Sequence, residues 1–205
     1  GAGLSYASLG PTHHSLEDIA ILRSLPGMTV LCPSGPAETV EALNSALSRQ
    51  TPCYIRLGKK GELDLYEGSN TFEIGKSITL REGQDACLIG AGPILSQAMQ
   101  AAEVLAKDGI TIRVENFHSV KPIDTKRLDE LADSFPQVFI LEEHGRIGGL
   151  FGAIAEWYSA KENKTPVLQP ISSDDRFLHH IGDYNFALAN FGLDTDNIVQ
   201  TVLNK

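Results

Sequence analysis

Short apolar runs alternate with longer stretches of helical period along most of the chain, and this alternation narrows the fold more than any other feature. "MTVLCP" (28–33), "PCYIRL" (52–57), "DACLIGAG" (85–92), "ITIRVEN" (110–116), "QVFILEEH" (137–144) and "PVLQPIS" (166–172) read as buried strands. Between and after them, "GPAETVEALNSALSRQ", "PILSQAMQAAEVLAKDG", "IDTKRLDELADSF", "GGLFGAIAEWYSAK" and "LDTDNIVQTVLNK" carry apolar residues at helical spacing. Helices inserted between strands take the chain back to start each next strand, so the sheet is parallel and helices cover its faces. The chain is an α/β protein. Val40, Leu43 and Leu47 mark one side of the second helix, Gly109 closes the helix before it, and Asp194 or Thr195 starts the last.

The alternation comes in two runs. In the first, Ser15 reads as an N-cap with Asp18 completing a capping box, and Leu16, Ile19, Ala20, Leu22 and Leu25 form an apolar face that Pro26-Gly27 ends. Polar "ELDLYEGSNT" (62–71) follows as a linker, and "FEIGKSITL" (72–80) opens the second run as an antiparallel strand. The second run is complete, with four parallel-type strands and helices between them. The first, with two strands and two helices, cannot close a core alone. The expected organisation is a truncated parallel-sheet domain over 1–66, a linker at 67–71, and a complete α/β domain with a mostly parallel sheet over 72–205. The chain is thus expected to begin inside a domain and to expose a large apolar face, associating unless a partner covers it.

A net charge of −9 argues against a nucleic-acid groove and against a membrane-surface patch. No apolar run approaches the ~20 residues a spanning helix needs. Cys32, Cys53 and Cys87 are odd in number, widely spaced and set in apolar strand contexts. They read as reduced, buried thiols of a cytoplasmic protein.

Four stretches carry candidate chemistry. "GAGPIL" (90–95), with Glu115 ending the next strand, approaches a dinucleotide-binding turn, but Leu95 fills the third glycine position and Pro93 interrupts the loop. A tight parallel crossover needs the same glycines. "PTHH" (11–14) and His179-His180 lack the spacing that chelates a metal. In "PTHH" one imidazole can face a ligand while its neighbour turns inward, or both simply pack in a loop. Lys59 and Lys60 follow a strand, where open parallel sheets bind ligands, and serve either as a phosphate contact or as a solvated turn. "LEEHGRIGG" (141–149) offers His144 with Glu142 or Glu143 as an acid–base pair, or equally an interface loop.

Together "GPTHHSLEDIAILRSLPGMTVLCPS", "CYIRLGKKG" and "VFILEEHGRIGGLFGAIAE" resemble the transketolase family, and within it the C-terminal subunit or section of split bacterial transketolases. The resemblance implies a partial pyrimidine-binding domain followed by the family's C-terminal domain. It implies transfer of a two-carbon ketol unit from a ketose phosphate to an aldose phosphate, with His13 contacting the donor sugar and Lys59 its phosphate. Leu9 stands where single-chain relatives have an acid, which bears on donor specificity. The "LEEH" and "GG" stretch matches a structural and interfacial signature. Thiamine diphosphate and magnesium are implied as cofactors, held mainly by a missing N-terminal part and the partner, so the isolated chain is expected to be inactive. The implied partner is a transketolase N-terminal subunit, or the chain's own missing region, in a homodimer or heterotetramer. Deoxyxylulose-phosphate synthase, a 2-oxoacid dehydrogenase β-type subunit and a non-catalytic dimerisation module are the competing readings.

Overall fold

The computed structural model describes residues 1–59, 61–65, 72–162 and 165–204. The expected linker at 67–71 and Lys60 lie outside the described residues. In the first half, β1 (Thr29–Leu31) and β2 (Cys53–Ile55) pair in parallel, flanked by α1 (Asp18–Arg23) and joined by α2 (Pro36–Arg49). The second half runs β3 (Ile78–Arg81), β4 (Ala86–Gly90), α3 (Leu95–Lys107), β5 (Ile112–Asn116), β6 (Ser119–Lys121), α4 (Thr125–Ser134), β7 (Gln137–Gly145), α5 (Leu150–Ser159), β8 (Val167–Ser173), α6 (Tyr184–Asn190) and α7 (Thr195–Leu203).

A five-stranded sheet in the order β3-β5-β4-β7-β8 forms the larger body, parallel except for β3, which runs antiparallel to β5 as its sequence suggested. Successive strand residues point to opposite faces. Leu88, Val114, Phe139 and Leu141 therefore meet α3, α6 and α7 on one side, while Cys87, Ile89, Val138 and Ile140 meet α4, α5 and residues of the first half on the other. Because both faces are covered, these strands read as unbroken apolar runs. Ala98, Ala101 and Ala102 let α3 lie close to the sheet, and Gly109 at φ +79° ends the segment.

The smaller sheet departs from expectation. Its order is β2-β1-β6, and β6 is a strand of the second half running antiparallel to β1. Immediately after β5, Phe117 and His118 turn the corner from one sheet into the other, and Cys32 N–H donates to the His118 carbonyl at 2.7 Å. The His118 ring is fully buried, stacks on Phe72 at 4.2 Å, and has no hydrogen-bond partner at either nitrogen among the described residues.

Two local expectations are corrected, and a third feature, the apolar side of α2, is placed. Ser15 does not cap α1: its N–H donates to Gly3 at 2.9 Å, the helix starts at Asp18, and the Asp18 carboxylate is held by Tyr54 and Arg56. Cys53 is half-buried, since β2 is an edge strand, while Cys32 and Cys87 are buried, and all three are free thiols. Val40, Leu43 and Leu47 face outward, at 57%, 50% and 68% exposure, while Glu38 and Ala42 take the inward side of α2. The apolar face anticipated for the first half is thus present on this helix. No sequence signal marked β6 or α6, although Asp183 caps α6 by accepting from the Phe186 N–H at 2.8 Å. Among the described residues, no helix is long and apolar enough to cross a membrane.

Candidate active site

Residues ahead of α1 form a closed loop. Its stem is the antiparallel bridge between Gly3 and Ser15, and its tip carries 3-10 turns at Ala7–Leu9 and Pro11–His13. Gly10, at φ +76°, joins the turns in a conformation that L-residues with side chains rarely adopt. Pro11 opens the second turn, where its fixed φ suits and its missing N–H costs nothing. His13 N–H closes that turn on the Gly10 carbonyl at 3.0 Å.

The adjacent histidines separate in role. His13 is exposed, and its Nδ1 lies 3.0 Å from Thr12 Oγ1. His14 turns inward, half-buried, with its Nε2 enclosed and without a partner among the described residues, and burial lowers the basicity of its ring. Both line an open cleft of about 500 Å³, together with Tyr6, Thr12, Tyr54 and Leu57. No carboxylate lies among the described residues lining it.

Lys59 lies four residues past the end of β2 and lines a neighbouring cleft of about 440 Å³ with Ser5, Ser34, Ser96 and Tyr184 and with the carboxylates of Glu62 and Asp183. Its ammonium stands over the Tyr6 ring, 4.9 Å from the centroid. The two predicted site residues therefore do not share one cleft. Tyr6 stands between them, lining the His13 side and receiving the Lys59 charge.

Beneath the loop lies a buried ionic group. Arg56, only 3% exposed, donates from Nε to Asp18 Oδ2 at 2.8 Å and from Nη2 to Asp18 Oδ1 at 3.1 Å. The same Nη2 donates to the Ser15 carbonyl at 2.7 Å and the Glu143 carbonyl at 3.0 Å. The Tyr54 hydroxyl donates to Asp18 Oδ2 at 2.6 Å. Burial alone would raise the Asp18 carboxyl, but the Arg56 guanidinium and the Tyr54 hydroxyl outweigh it and hold it below its ordinary value. Neither Asp18 nor Arg56 was expected in the site. The signal available was an arginine inside the otherwise apolar "CYIRL", since such a residue is seldom buried unless paired.

"LEEH" is the last part of β7, and its side chains are spent on contacts within the chain. Glu142 accepts from the Leu150 and Phe151 N–H groups at the start of α5, at 2.6 and 3.3 Å. Glu143 accepts from the Leu4 N–H and, at 2.7 Å, from the Tyr184 hydroxyl. His144 Nδ1 lies 2.7 Å from the Gly145 carbonyl, so this nitrogen is assigned the proton, and Nε2 accepts from the Ala20 N–H at 3.4 Å. The carboxylates and imidazole are each turned to other partners. A side chain at Gly149 would collide with Glu142 and His144, which explains that glycine.

"GAGPIL" is a crossover. Leu95 N–H donates to Gly92 and Ser96 N–H to Pro93, both at 3.1 Å, so amides at the start of α3 are spent within the turn. A Cβ at Gly90 would press on the Leu95 side chain. Glu115, fully buried, is held by Thr79 at 2.8 Å and Arg113 at 2.6 Å and is not presented to a ribose. Among the described residues, no three His, Cys, Asp or Glu side chains gather to hold a metal ion.

Two buried groups give stability a defined pH course. Burial raises the Glu142 carboxyl from 4.5 to about 8 against the Leu150 and Phe151 amides, and lowers the His118 imidazole from 6.5 to about 4 against Asp124. Folded Glu142 keeps a proton that the unfolded chain releases, so its stabilising effect is complete below 4.5 and is lost as pH rises through about 8. His118 refuses a proton that the unfolded chain accepts, so stability is lost as pH falls from 6.5 towards 4. The slopes oppose each other at mildly acidic pH. Above about pH 6.5 the His118 slope has ended and that of Glu142 continues, at up to about 1.4 kcal/mol per pH unit, with Glu143, whose carboxyl burial also raises, acting in the same direction. Urea midpoints should therefore hold level to about pH 6.5 and then fall, and Glu142→Gln should flatten the fall. An unaltered alkaline slope in that variant would contradict the assignment.

The molecule is an α/β protein with two sheets, in which a histidine loop is fastened at its stem to β7. Residues 75–198 match the family described as transketolase, C-terminal domain, and residues 1–61 match transketolase, pyrimidine binding domain. The chain belongs to the transketolase family. It is 36% identical to an apulose-4-phosphate transketolase subunit of Phocaeicola vulgatus over 98% of this chain and 64% of that one. It is 34% identical to a 6-deoxy-6-sulfo-D-fructose transketolase subunit of Clostridium sp., over 97% of this chain and 61% of the relative. Among solved structures, a split gene transketolase described as an inactive beta4 tetramer superimposes with a TM-score of 0.84 at 32% identity, covering 98% of this chain and 62% of that one. The chain thus spans less than two thirds of the length of these relatives.

Proposed function

We propose that this chain is part of the C-terminal subunit of a thiamine diphosphate-dependent transketolase, cytoplasmic in location, that passes a two-carbon ketol unit from a ketose phosphate to an aldose phosphate. The observation that carries this reading is the His13 loop, exposed at its tip, fixed at its stem, and one tyrosine away from the Lys59 cleft. His13 donates a hydrogen bond to a donor hydroxyl and steadies charge as the carbon–carbon bond breaks. Lys59 takes the phosphate as a point charge. The names of the two relatives support this: one acts on a phosphate ester and the other on a sulfo sugar, and a lone ammonium suits either anion. In domain terms, 1–66 is the partial pyrimidine-binding domain, 67–71 the linker and 72–205 the C-terminal domain.

Thiamine diphosphate supplies the carbanion chemistry when bound. The described residues do not fit it by themselves. The His13 cleft has no carboxylate among its described residues for magnesium or for an aminopyrimidine, and the described chain gathers no metal-binding cluster. The cofactor is therefore assigned to chain beyond these residues and to a transketolase N-terminal subunit, in a homodimer or heterotetramer. What remains to this chain is to orient the sugar and to build the assembly.

The test is reconstitution. The chain, a candidate partner subunit, thiamine diphosphate and magnesium should together transfer a ketol unit, and each omission should abolish it. Lys59→Ala should raise KM for a phosphorylated donor about 10- to 100-fold, the value of a charge-assisted hydrogen bond, with kcat little changed and Lys59→Arg active. Equal losses on phosphorylated and unphosphorylated ketoses would remove Lys59 from this role. Activity with pyruvate as donor instead of a ketose would favour the synthase reading.

A further inference from the structure

Both strands of the loop stem that carries His13 are fastened to one short stretch of β7. Glu143 is 3% exposed, and its carboxylate accepts from the Leu4 N–H on the incoming strand of the stem. Its carbonyl accepts from Arg56 Nη2 at 3.0 Å, and that nitrogen donates to the Ser15 carbonyl on the outgoing strand at 2.7 Å. Two residues on, the Gly145 N–H donates to the Leu16 carbonyl at 2.8 Å. The stem closes on itself through Ser15 N–H to the Gly3 carbonyl at 2.9 Å. Gly3, at φ +51°, lies so close to the Glu143 carboxylate that a Cβ there would collide with it. The remaining carboxylate oxygen, Oε2, accepts from the Tyr184 hydroxyl at 2.7 Å, brought by the first residue of α6. The Tyr184 hydroxyl thus reaches the loop through Glu143.

We propose that Glu143, oriented by Tyr184, is a positioning residue that sets the pose of the His13 loop from the larger sheet. The role follows from connectivity. A loop tip inherits the freedom of its stem, and a buried carboxylate that must satisfy Leu4 and Tyr184 together has one orientation available. The inference rests on the reading of His13 as the donor contact, and on that reading Tyr184, which also lines the Lys59 cleft, influences donor binding through its hydroxyl on Glu143.

The experiment uses the full chain in its active assembly. Tyr184→Phe keeps the ring and deletes only the hydroxyl, while Glu143→Gln keeps shape and one acceptor. Hydrogen exchange at the Leu4 and Ser15 amides should quicken at least tenfold in Tyr184→Phe, while the β4 amides keep their protection. Donor KM should rise at least threefold with acceptor KM within twofold, a split that general loss of stability would not produce. In a His13→Ala background the Tyr184→Phe effect on donor KM should vanish, because the residue acts through His13. Unchanged exchange at Leu4 and Ser15 in both variants would overturn the positioning role whatever the kinetics. So would a donor KM effect that persists without His13. Donor kinetics unaltered by His13→Ala alone would fail the functional reading instead, and the exchange result would still decide the positioning role.

Discussion

Replacing His13 with alanine should lower kcat/KM for ketol transfer by about 100- to 1000-fold, the loss seen when one donor aimed at developing charge is deleted. The imidazole is exposed, with Thr12 as its side-chain partner, so its removal should leave the urea midpoint almost unmoved. That pairing of a large kinetic loss with an intact fold identifies a group that meets the substrate. His14 provides the contrast. Its ring is turned inward with Nε2 enclosed, so His14→Ala should disturb the loop more than the chemistry. Steady-state kinetics of both variants against one ketose phosphate make the comparison, and a loss below about threefold in His13→Ala would remove it from the proposed role.

The largest effect on stability is expected at Arg56. Arg56→Met leaves the Asp18 carboxylate with Tyr54 as its one remaining side-chain partner among the described residues, and strips a donor from the Ser15 and Glu143 carbonyls. Breaking one side of a buried pair costs about 3–5 kcal/mol, much of the ~5–15 kcal/mol that holds a domain folded. Arg56→Lys should not rescue it, because a single ammonium cannot bridge both Asp18 oxygens and the carbonyls in the same plane. Removing the partner as well, in Arg56→Met with Asp18→Leu, should recover part of the loss, since it is the stranded charge that costs most. Urea denaturation of the three variants decides the matter. A single-variant loss under about 1 kcal/mol would mean that water reaches this network.

The larger sheet was legible because burial on both faces leaves a strong mark. "ACLIG" and "QVFIL" are too apolar for anything else, and the alanine-rich face of α3 has no other use. The first half was harder to read. Helical period announces that α2 has an apolar side but not what that side meets, and Val40, Leu43 and Leu47 turn out to face away from the described chain. Ser15 and Asp18 have a capping-box spacing, yet a fully buried arginine competes for the carboxylate and wins, which local pattern cannot register. β6 is three residues long, too short for any period, and its place depends on a partner far away in sequence. Within the site, "PTHH" and the strand-end lysine could be read as candidates from residue type alone. The latch at Glu143 could not, because its hydrogen bonds to Leu4 and Tyr184 exist only once distant segments have met.

The corner at Phe117 and His118 also bears on the order in which the molecule comes into being. Val30 lies opposite Lys121, so β1 cannot complete its pairing while the ribosome is still making the intervening residues. The early half must wait, the second edge of β1 open, until β6 emerges, and an unpaired edge is prone to wrong pairing in that interval. A cut between the halves would not release two independent modules. It would leave β6 without its strand partner and β1 with β2 alone.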